Sequence, residues 1–444
     1  MKMANPILLH AAFLLVLLCA VSAFAVRPEK VLLSFNFTNG EYPQGLSIDP
    51  GGNLWTVQSF GGSGTCPEYG DGCGTVVELA SVSGGWKPKI IYNFRGGSDG
   101  NRPTGNVAFD AQGNLYGVTV DGGSPTCQCG TVFKLTPVSG GWKESVIYRF
   151  DKTKNRNDGM FPWAGVIMDT EGNLYGTTQS GGNGCSFSCG TVFELSPSEN
   201  GAWTESILYN FKGEGFNDGQ YPSAPLAFDA RGNLYGTTYW GGAATYGQCS
   251  LGGGGCGVVF ELSPNGSGGW SESVIHAFSS GNGDGFYPFA GLMVDATGNL
   301  YGTTTAGGFF ASCDNGIYCG TVFELSPVSG GAWTETLLHS FSGTEGSSPQ
   351  SALTADAAGN LYGTTYLGGV YTAGIAFELS PNSGGGWKET VLHSFGNGHD
   401  GVAPETSLVL DTSGNLFSST AYGGADVTGS CASLGCGTVF EILP

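Results

Sequence analysis

The sequence predicts an all-β fold: a seven-bladed β-propeller of four-stranded antiparallel blades, closed by pairing of its N-terminal strand with its C-terminal strand. Three observations predict it. The phrase Gly-Asn-Leu plus an aromatic residue begins at Gly52, Gly113, Gly172, Gly232, Gly298, Gly359 and Gly414, and a period of about 60 residues is too long for leucine-rich or ankyrin repeats. Each copy carries four short runs of β-branched and aromatic residues bounded by Gly, Pro, Asn or Asp, which read as strands. Each chain end supplies only part of a blade, and the two parts complete one another.

Taken in order, residues 1–25 read as a secretory signal, with Lys2, an apolar run over 11–20 and the small-x-small site Ala23-Phe24-Ala25. The mature chain, 26–444, is then a single propeller domain with no stretch of the roughly 20 apolar residues a membrane span needs. Secretion to the cell surface or medium is the expected location. Charged residues make up only 12% and glycine 79 of 444 residues, a turn-rich composition. A net charge of -20, with 16 basic against 36 acidic residues, argues against a nucleic-acid partner, because phosphate binding is driven by Lys and Arg.

The fourth copy shows the strands most clearly, at 225–229, 233–238, 258–263 and 270–278, named A to D. Asp-x-x-Gly-Asn joins A to B, starting at Asp49, Asp110, Asp169, Asp229, Asp295, Asp356 and Asp411. A carboxylate accepting backbone N–H bonds and a Gly free to take positive φ suit a tight hairpin there. A Gly-rich turn leading to Trp86, Trp142, Trp203, Trp270, Trp333 or Trp387 joins C to D. The chain opens with a D strand, 30–35, aligning with 89–94, and closes with a C strand, 437–443. Small A-strand residues suit the axis and charged D strands the rim, where charge discourages edge pairing.

Twelve cysteines fall in six pairs, each inside a B-to-C loop: Cys66 with Cys73, Cys127 with Cys129, Cys185 with Cys189, Cys249 with Cys256, Cys313 with Cys319, and Cys431 with Cys436. The remaining blade has the short loop 370–373 and no cysteine. Disulfides are the expected reading in an oxidising compartment. Zinc is the alternative, favoured at Cys127-Gln128-Cys129 by the awkwardness of bridging a single residue, and opposed by the scattering of pairs over different blades.

The run Gly-Asn-Leu-Tyr-Gly-Thr-Thr-x-x-Gly-Gly, a variable loop, then Gly-Thr-Val-Phe-Glu-Leu-Ser-Pro, clearest at 172–197 and 298–327, resembles the Gloeo/Verruco (GloVer) repeat of secreted bacterial proteins. That resemblance covers the mature chain and implies an extracellular or surface-associated protein, with no catalytic residues to carry over. The A and B strands are also similar to NHL propellers, an analogy of fold alone.

Function is sought where the repeats disagree. After the Pro of each D-to-A loop stand Gln44, Thr104, Trp163, Ser223, Phe289, Gln350 and Glu405. Before it stand Tyr42, Phe161, Tyr221 and Tyr287, with Tyr239, Trp240, Phe309 and Phe310 supplied from B-to-C loops on the same face. We take Tyr42, Phe161, Trp163, Tyr221, Trp240, Tyr287 and Phe289 as the candidate ligand face, because aromatic rings beside carboxylates suit sugars or a protein partner. Covering the ends of the core is their bland alternative. The loop acids Asp99, Asp158, Asp218, Asp284, Glu345 and Asp400 read as turn residues, with a calcium ring as the lesser reading. His276, His339 and His393 share a position with Tyr148 and Tyr209 and read as packing residues. No cofactor is called for, and neither an esterase elbow, a zincin helix nor a phosphate loop is present. The expected role is a non-catalytic binding scaffold for a polysaccharide or a cell-envelope protein. A carbohydrate-active lyase or hydrolase with an axial pocket, or a purely structural surface protein, are the alternatives.

Overall fold

In the computed structural model, described over residues 29–443 except 67–71, 154, 156, 186–188, 214, 216, 243–248, 250–253, 282, 310–312 and 314–318, seven four-stranded sheets form a ring. Each is antiparallel with its strands ordered A-B-C-D, in chain order in six blades and completed by the first strand of the chain in the seventh. Blade 4, for example, comprises Ala227–Phe228, Leu234–Thr238, Val258–Pro264 and Trp270–Ala277. The expected signal segment, 1–25, and Phe310 lie outside the described residues.

The ring closes as expected. Glu29–Ser34 is the D strand of blade 7 and pairs antiparallel with the C strand Thr438–Ile442, setting Val31 opposite Phe440 and Ser34 opposite Thr438. Among the described residues no helix is long and apolar enough to cross a membrane.

The repeated phrases are explained by packing between blades. At six of the seven junctions the Phe following a D strand meets the C-strand Phe of the next blade, from Phe94 with Phe133 to Phe395 with Phe440, at 4.8–5.2 Å between ring centres, and at the seventh Phe35 packs on Val77. These rings are wholly buried, and each contributes about 1.5–3 kcal/mol by leaving water. The motif Gly exists because of them: a Cβ on Gly236 would stand 2.5 Å from the Phe260 ring and 3.0 Å from Leu226. Nearer the opposite face, the Trp opening a D strand packs on the B-strand aromatic of the preceding blade, as Trp142 does on Trp55 at 5.3 Å.

The Asp of each A-to-B hairpin works as the sequence implies. Asp229 Oδ1 accepts N–H bonds from Arg231 and Asn233, while Oδ2 accepts from Asn233 Nδ2 and the Tyr235 hydroxyl. Burial raises the pKa of Asp49, Asp110, Asp169, Asp295 and Asp356, but these bonds outweigh it and hold the carboxyls below their ordinary value.

The A strands differ in length from expectation. In blade 4 regular pairing covers Ala227–Phe228 only, and a separate two-residue ladder, Gly219–Gln220 with Trp240–Gly241, forms nearer the mouth. Between them Tyr221 takes φ +60° before Pro222, which lacks an N–H, so the ladder breaks and resumes.

Candidate functional site

The left-handed residue recurs in every blade, although in blades 1 and 2 the A strand runs through it with only a register shift. Tyr42, Arg102, Phe161, Tyr221, Tyr287, Ser348 and Ala403, each preceding the loop Pro, all take φ between +55° and +62°, where a side chain is strained. What holds them is the neighbouring blade. Each donates its N–H to the carbonyl two residues ahead of the preceding blade's C strand, as Tyr221 does to Cys189 at 3.0 Å, Tyr287 to Cys256 at 2.8 Å, Ser348 to Cys319 at 3.0 Å and Tyr42 to Cys436 at 3.1 Å.

The reversal delivers the residue after the Pro to the axis. Gln44, Thr104, Trp163, Ser223, Phe289, Gln350 and Glu405, one from each blade, line a single axial cleft of about 390 Å³ together with Tyr42 and Tyr366. Its floor is made of small residues, including Gly45, Gly105, Gly165 and Gly291. A Cβ on Gly105 would collide with the backbone of Gly165 in the adjacent blade, so the inner strands approach too closely for larger residues.

One carboxyl lies in this cleft, and its surroundings are specific. Gln44 Nε2 donates to Glu405 Oε1, the Tyr42 hydroxyl reaches Oε2 at 3.5 Å, and Thr104 Oγ1 donates to Gln44 Oε1 at 3.3 Å. Burial pushes Glu405 up to about 7 against the lowering effect of the Gln44 and Tyr42 bonds. Burial and the nearby Glu405 charge also push the Tyr42 phenol upward. At neutral pH the mouth therefore holds a carboxyl poised between its acid and its base, beside neutral phenols, amides and hydroxyls. Arg102 lies over the Trp163 ring at 5.5 Å and is paired with Asp121 at 2.9 Å.

The structure divides the candidate face in two. Tyr42, Trp163 and Phe289 line the axial cleft. Tyr221 and Trp240 pack edge to face at 4.7 Å beside blade 4, and Tyr287 stacks on Tyr239 at 4.9 Å, while Tyr239 also meets Phe289 at 6.0 Å. These form a shoulder continuous with the cleft through Phe289. Phe161, half-buried, holds the same loop position as Tyr42 and Tyr221 but does not line the cleft. Sequence reasoning misses Tyr366. It occupies the position after Thr-Thr that Tyr239 occupies in blade 4, so comparing that column would have found it.

The acids of the D-to-A loops lie elsewhere. Asp99, Asp158, Asp218, Asp284 and Asp400 accept the backbone N–H of Arg95, Asp151, Lys212, Ser279 and Gly396, just beyond the outer strand of each blade. Each serves its own loop at the rim, which is the turn role, and they do not encircle the axis.

All six cysteine pairs stand at disulfide distance. The Cα–Cα separation is 5.4 Å for Cys66 and Cys73, 5.1 Å for Cys127 and Cys129, and 5.9 Å for Cys185 and Cys189. It is 5.1 Å for Cys249 and Cys256, 5.2 Å for Cys313 and Cys319, and 5.0 Å for Cys431 and Cys436. These pairs sit over the interblade core: Cys66 and Cys73 pack with Phe94 and Phe133, and Cys249 and Cys256 with Phe278 and Phe323. Blade 6 makes the same turn with Ala373 in place of the second cysteine, its carbonyl accepting the Ala403 N–H at 2.8 Å.

Fold and cleft define the class, a closed seven-bladed propeller with its variable residues gathered at one axial mouth. The chain belongs to the Gloeobacter/Verrucomicrobia repeat family, whose model matches residues 22–250 and 245–432. Among curated proteins none matches the sequence. Solved structures that are similar include a fungal alcohol oxidase in complex with copper, 13% identical over 94% of this chain and 77% of that one with a TM-score of 0.54. A catalytically inactive virginiamycin B lyase from Staphylococcus aureus with quinupristin is also 13% identical, over 93% and 98%, with a TM-score of 0.49. At this identity the likeness is one of fold.

Proposed function

We propose that the protein is a secreted binding propeller that takes a neutral, polyhydroxylated ligand, a glycan end or loop, at its axial mouth. The observation that carries this reading is the convergence on one cleft of the seven residues at which the repeats differ most in chemistry. Trp163 and Phe289 offer apolar faces on which a pyranose ring can lie, and Gln44, Gln350, Thr104 and Ser223 offer donors and acceptors for hydroxyls. No Lys, Arg or His is among the described lining residues, and Arg102, over the Trp163 ring, is already paired with Asp121, which disfavours a uronate or a phosphate.

Catalysis is the weaker reading on the same geometry. Glu405, pushed up to about 7, has the protonation behaviour of a general acid. Two-carboxylate hydrolysis needs a partner acid roughly 5–10 Å away, and Glu405 is the one acid among the described lining residues.

The test incubates the purified protein with neutral and uronate polysaccharides, measuring affinity by calorimetry and bond cleavage by reducing-end release. The expected result is binding of a neutral glycan without cleavage, weakened at least tenfold when Trp163→Ala and Phe289→Ala are combined. Cleavage abolished by Glu405→Gln, or binding unchanged in the double variant, would overturn the reading.

A further inference from the structure

The outer rim carries a second constellation, repeated at six blade junctions and separate from the mouth. At each, a D-strand Tyr or His, the loop acid that follows it, and a Glu from the next blade's D strand come together. In the tyrosine blades the phenol settles the charge. Tyr92 donates to Asp99 at 2.7 Å, Tyr148 to Glu205 at 2.7 Å and Tyr209 to Asp218 at 2.8 Å. At the last junction the His393 ring bonds Asp400 directly at 3.0 Å.

The two remaining junctions are different. His339 Nε2 stands 3.9 Å from Glu345 Oε1 and is also a buried atom without a hydrogen-bond partner, but among the described residues only the junction of blades 4 and 5 brings three ligand atoms together. His276 Nε2 lies 4.0 Å from Asp284 Oδ1 and 3.8 Å from Glu335 Oε2, beyond hydrogen-bond reach of either. Among the described residues Nε2 and Asp284 Oδ1 are buried atoms without a conventional hydrogen-bond partner, and the Glu335 carboxyl approaches that of Asp284 closely enough to share a proton with it when no ion is bound. The three side chains are held to this arrangement. Ser279 donates its N–H and hydroxyl to the other Asp284 oxygen at 2.8 and 3.0 Å, and the imidazole packs edge to face on Phe278 at 4.6 Å. Burial keeps His276 neutral, lowering it to about 4, and pushes Glu335 up to about 7 with help from the Asp284 charge.

Three ligand atoms thus converge, all within 4.8 Å of one another, the one such grouping of His, Cys, Asp or Glu ligands among the described residues. Two atoms each about 2.1 Å from an ion can be up to about 4.2 Å apart, and the two measured separations fall inside that span. One nitrogen and two oxygens suit a borderline divalent ion such as zinc, cobalt or manganese, whereas calcium and magnesium take oxygen alone. Two carboxylates and a neutral imidazole balance the charge of one such ion.

We propose that His276, Asp284 and Glu335 bind one divalent transition-metal ion, which clips the outer strand and loop of blade 4 to the outer strand of blade 5. The sister blades supply the control, because tyrosine occupies the His276 position in three of them with the fold intact.

The test uses chelator-stripped full-length protein titrated with cobalt(II) and zinc(II). The expected result is one equivalent of bound cobalt with visible absorption of a nitrogen-coordinated ion, and a zinc-dependent rise in Tm of several degrees. His276→Tyr should abolish both while folding normally, Glu335→Gln should weaken binding at least tenfold, and His393→Tyr should change neither. Absence of cobalt binding in the wild type overturns the proposal and assigns the acid pair a shared proton. Binding that persists unchanged in His276→Tyr also overturns it, placing the ion elsewhere.

Discussion

Replacing Glu405 by Gln should make the protein more stable at alkaline pH and leave it unchanged at mildly acidic pH. Folding raises this carboxyl from 4.5 to about 7, so the native state holds a proton that the unfolded chain releases. Stability from this group is therefore fully present below pH 4.5 and is lost as pH rises through about 7. A shift of this size corresponds to about 3 kcal/mol if none of it is screened. The carboxyl opens partly onto the mouth, so solvent reduces the figure to about 1–2 kcal/mol. Gln keeps the acceptor that Gln44 uses and presents no charge to bury. Urea denaturation of both proteins at pH 4.5 and pH 8 measures the difference. Equal midpoints at pH 4.5 and a higher midpoint for the variant at pH 8 are expected. A variant destabilised at both values would mean that Glu405 is held as a stabilised anion, and the description of the mouth would be wrong.

The rim acids extend the same logic to the whole metal-free chain. Glu205 and Glu389 are raised to about 8, and Glu144, Glu272 and Glu335 to about 7, chiefly by burial, while the hairpin Asp carboxyls are held low. Stability should fall below about pH 4 as the Asp groups protonate and fall again from about pH 5 to 8 as the Glu groups ionise, giving an acidic optimum in a Tm-against-pH series. Gly236→Ala should cost about 1–3 kcal/mol in urea denaturation, because its Cβ is caught between Phe260 and Leu226. Asp229→Ala should cost a similar about 1–3 kcal/mol, as it strands the N–H groups of Arg231 and Asn233 together with the Asn233 amide. Reduction of the disulfides should lower Tm, each bridge being worth roughly 2 kcal/mol for so short a loop.

The fold was legible because its determinants are local and repeated. Asp-x-x-Gly-Asn describes a hairpin whose bonds all lie within a few residues, and seven copies leave little choice of topology. The closing pair of strands was legible for a similar reason, since 30–35 could be laid over 89–94. The mouth was half legible. Divergence after the loop Pro picked out Gln44, Trp163, Phe289 and Glu405, but the burial that raises Glu405 depends on neighbouring blades. The left-handed residues were illegible. Tyr221 and Ala403 carry no glycine-like signal, and what sustains their backbone is a carbonyl in the neighbouring blade. The rim clusters were hidden likewise: His276 is read from sequence as a substitute for Tyr148, and only the spatial approach of Glu335 from the next blade separates the two.

The most direct test of the ligand-binding mouth is a crystal structure of the protein with the tightest-binding neutral glycan from the panel. Density for a sugar ring against Trp163 or Phe289, with a hydroxyl within hydrogen-bond distance of Glu405 or Gln44, is the predicted result. A glycan seated on the outer strands or on the opposite face, with the axial cleft unchanged, would contradict the account.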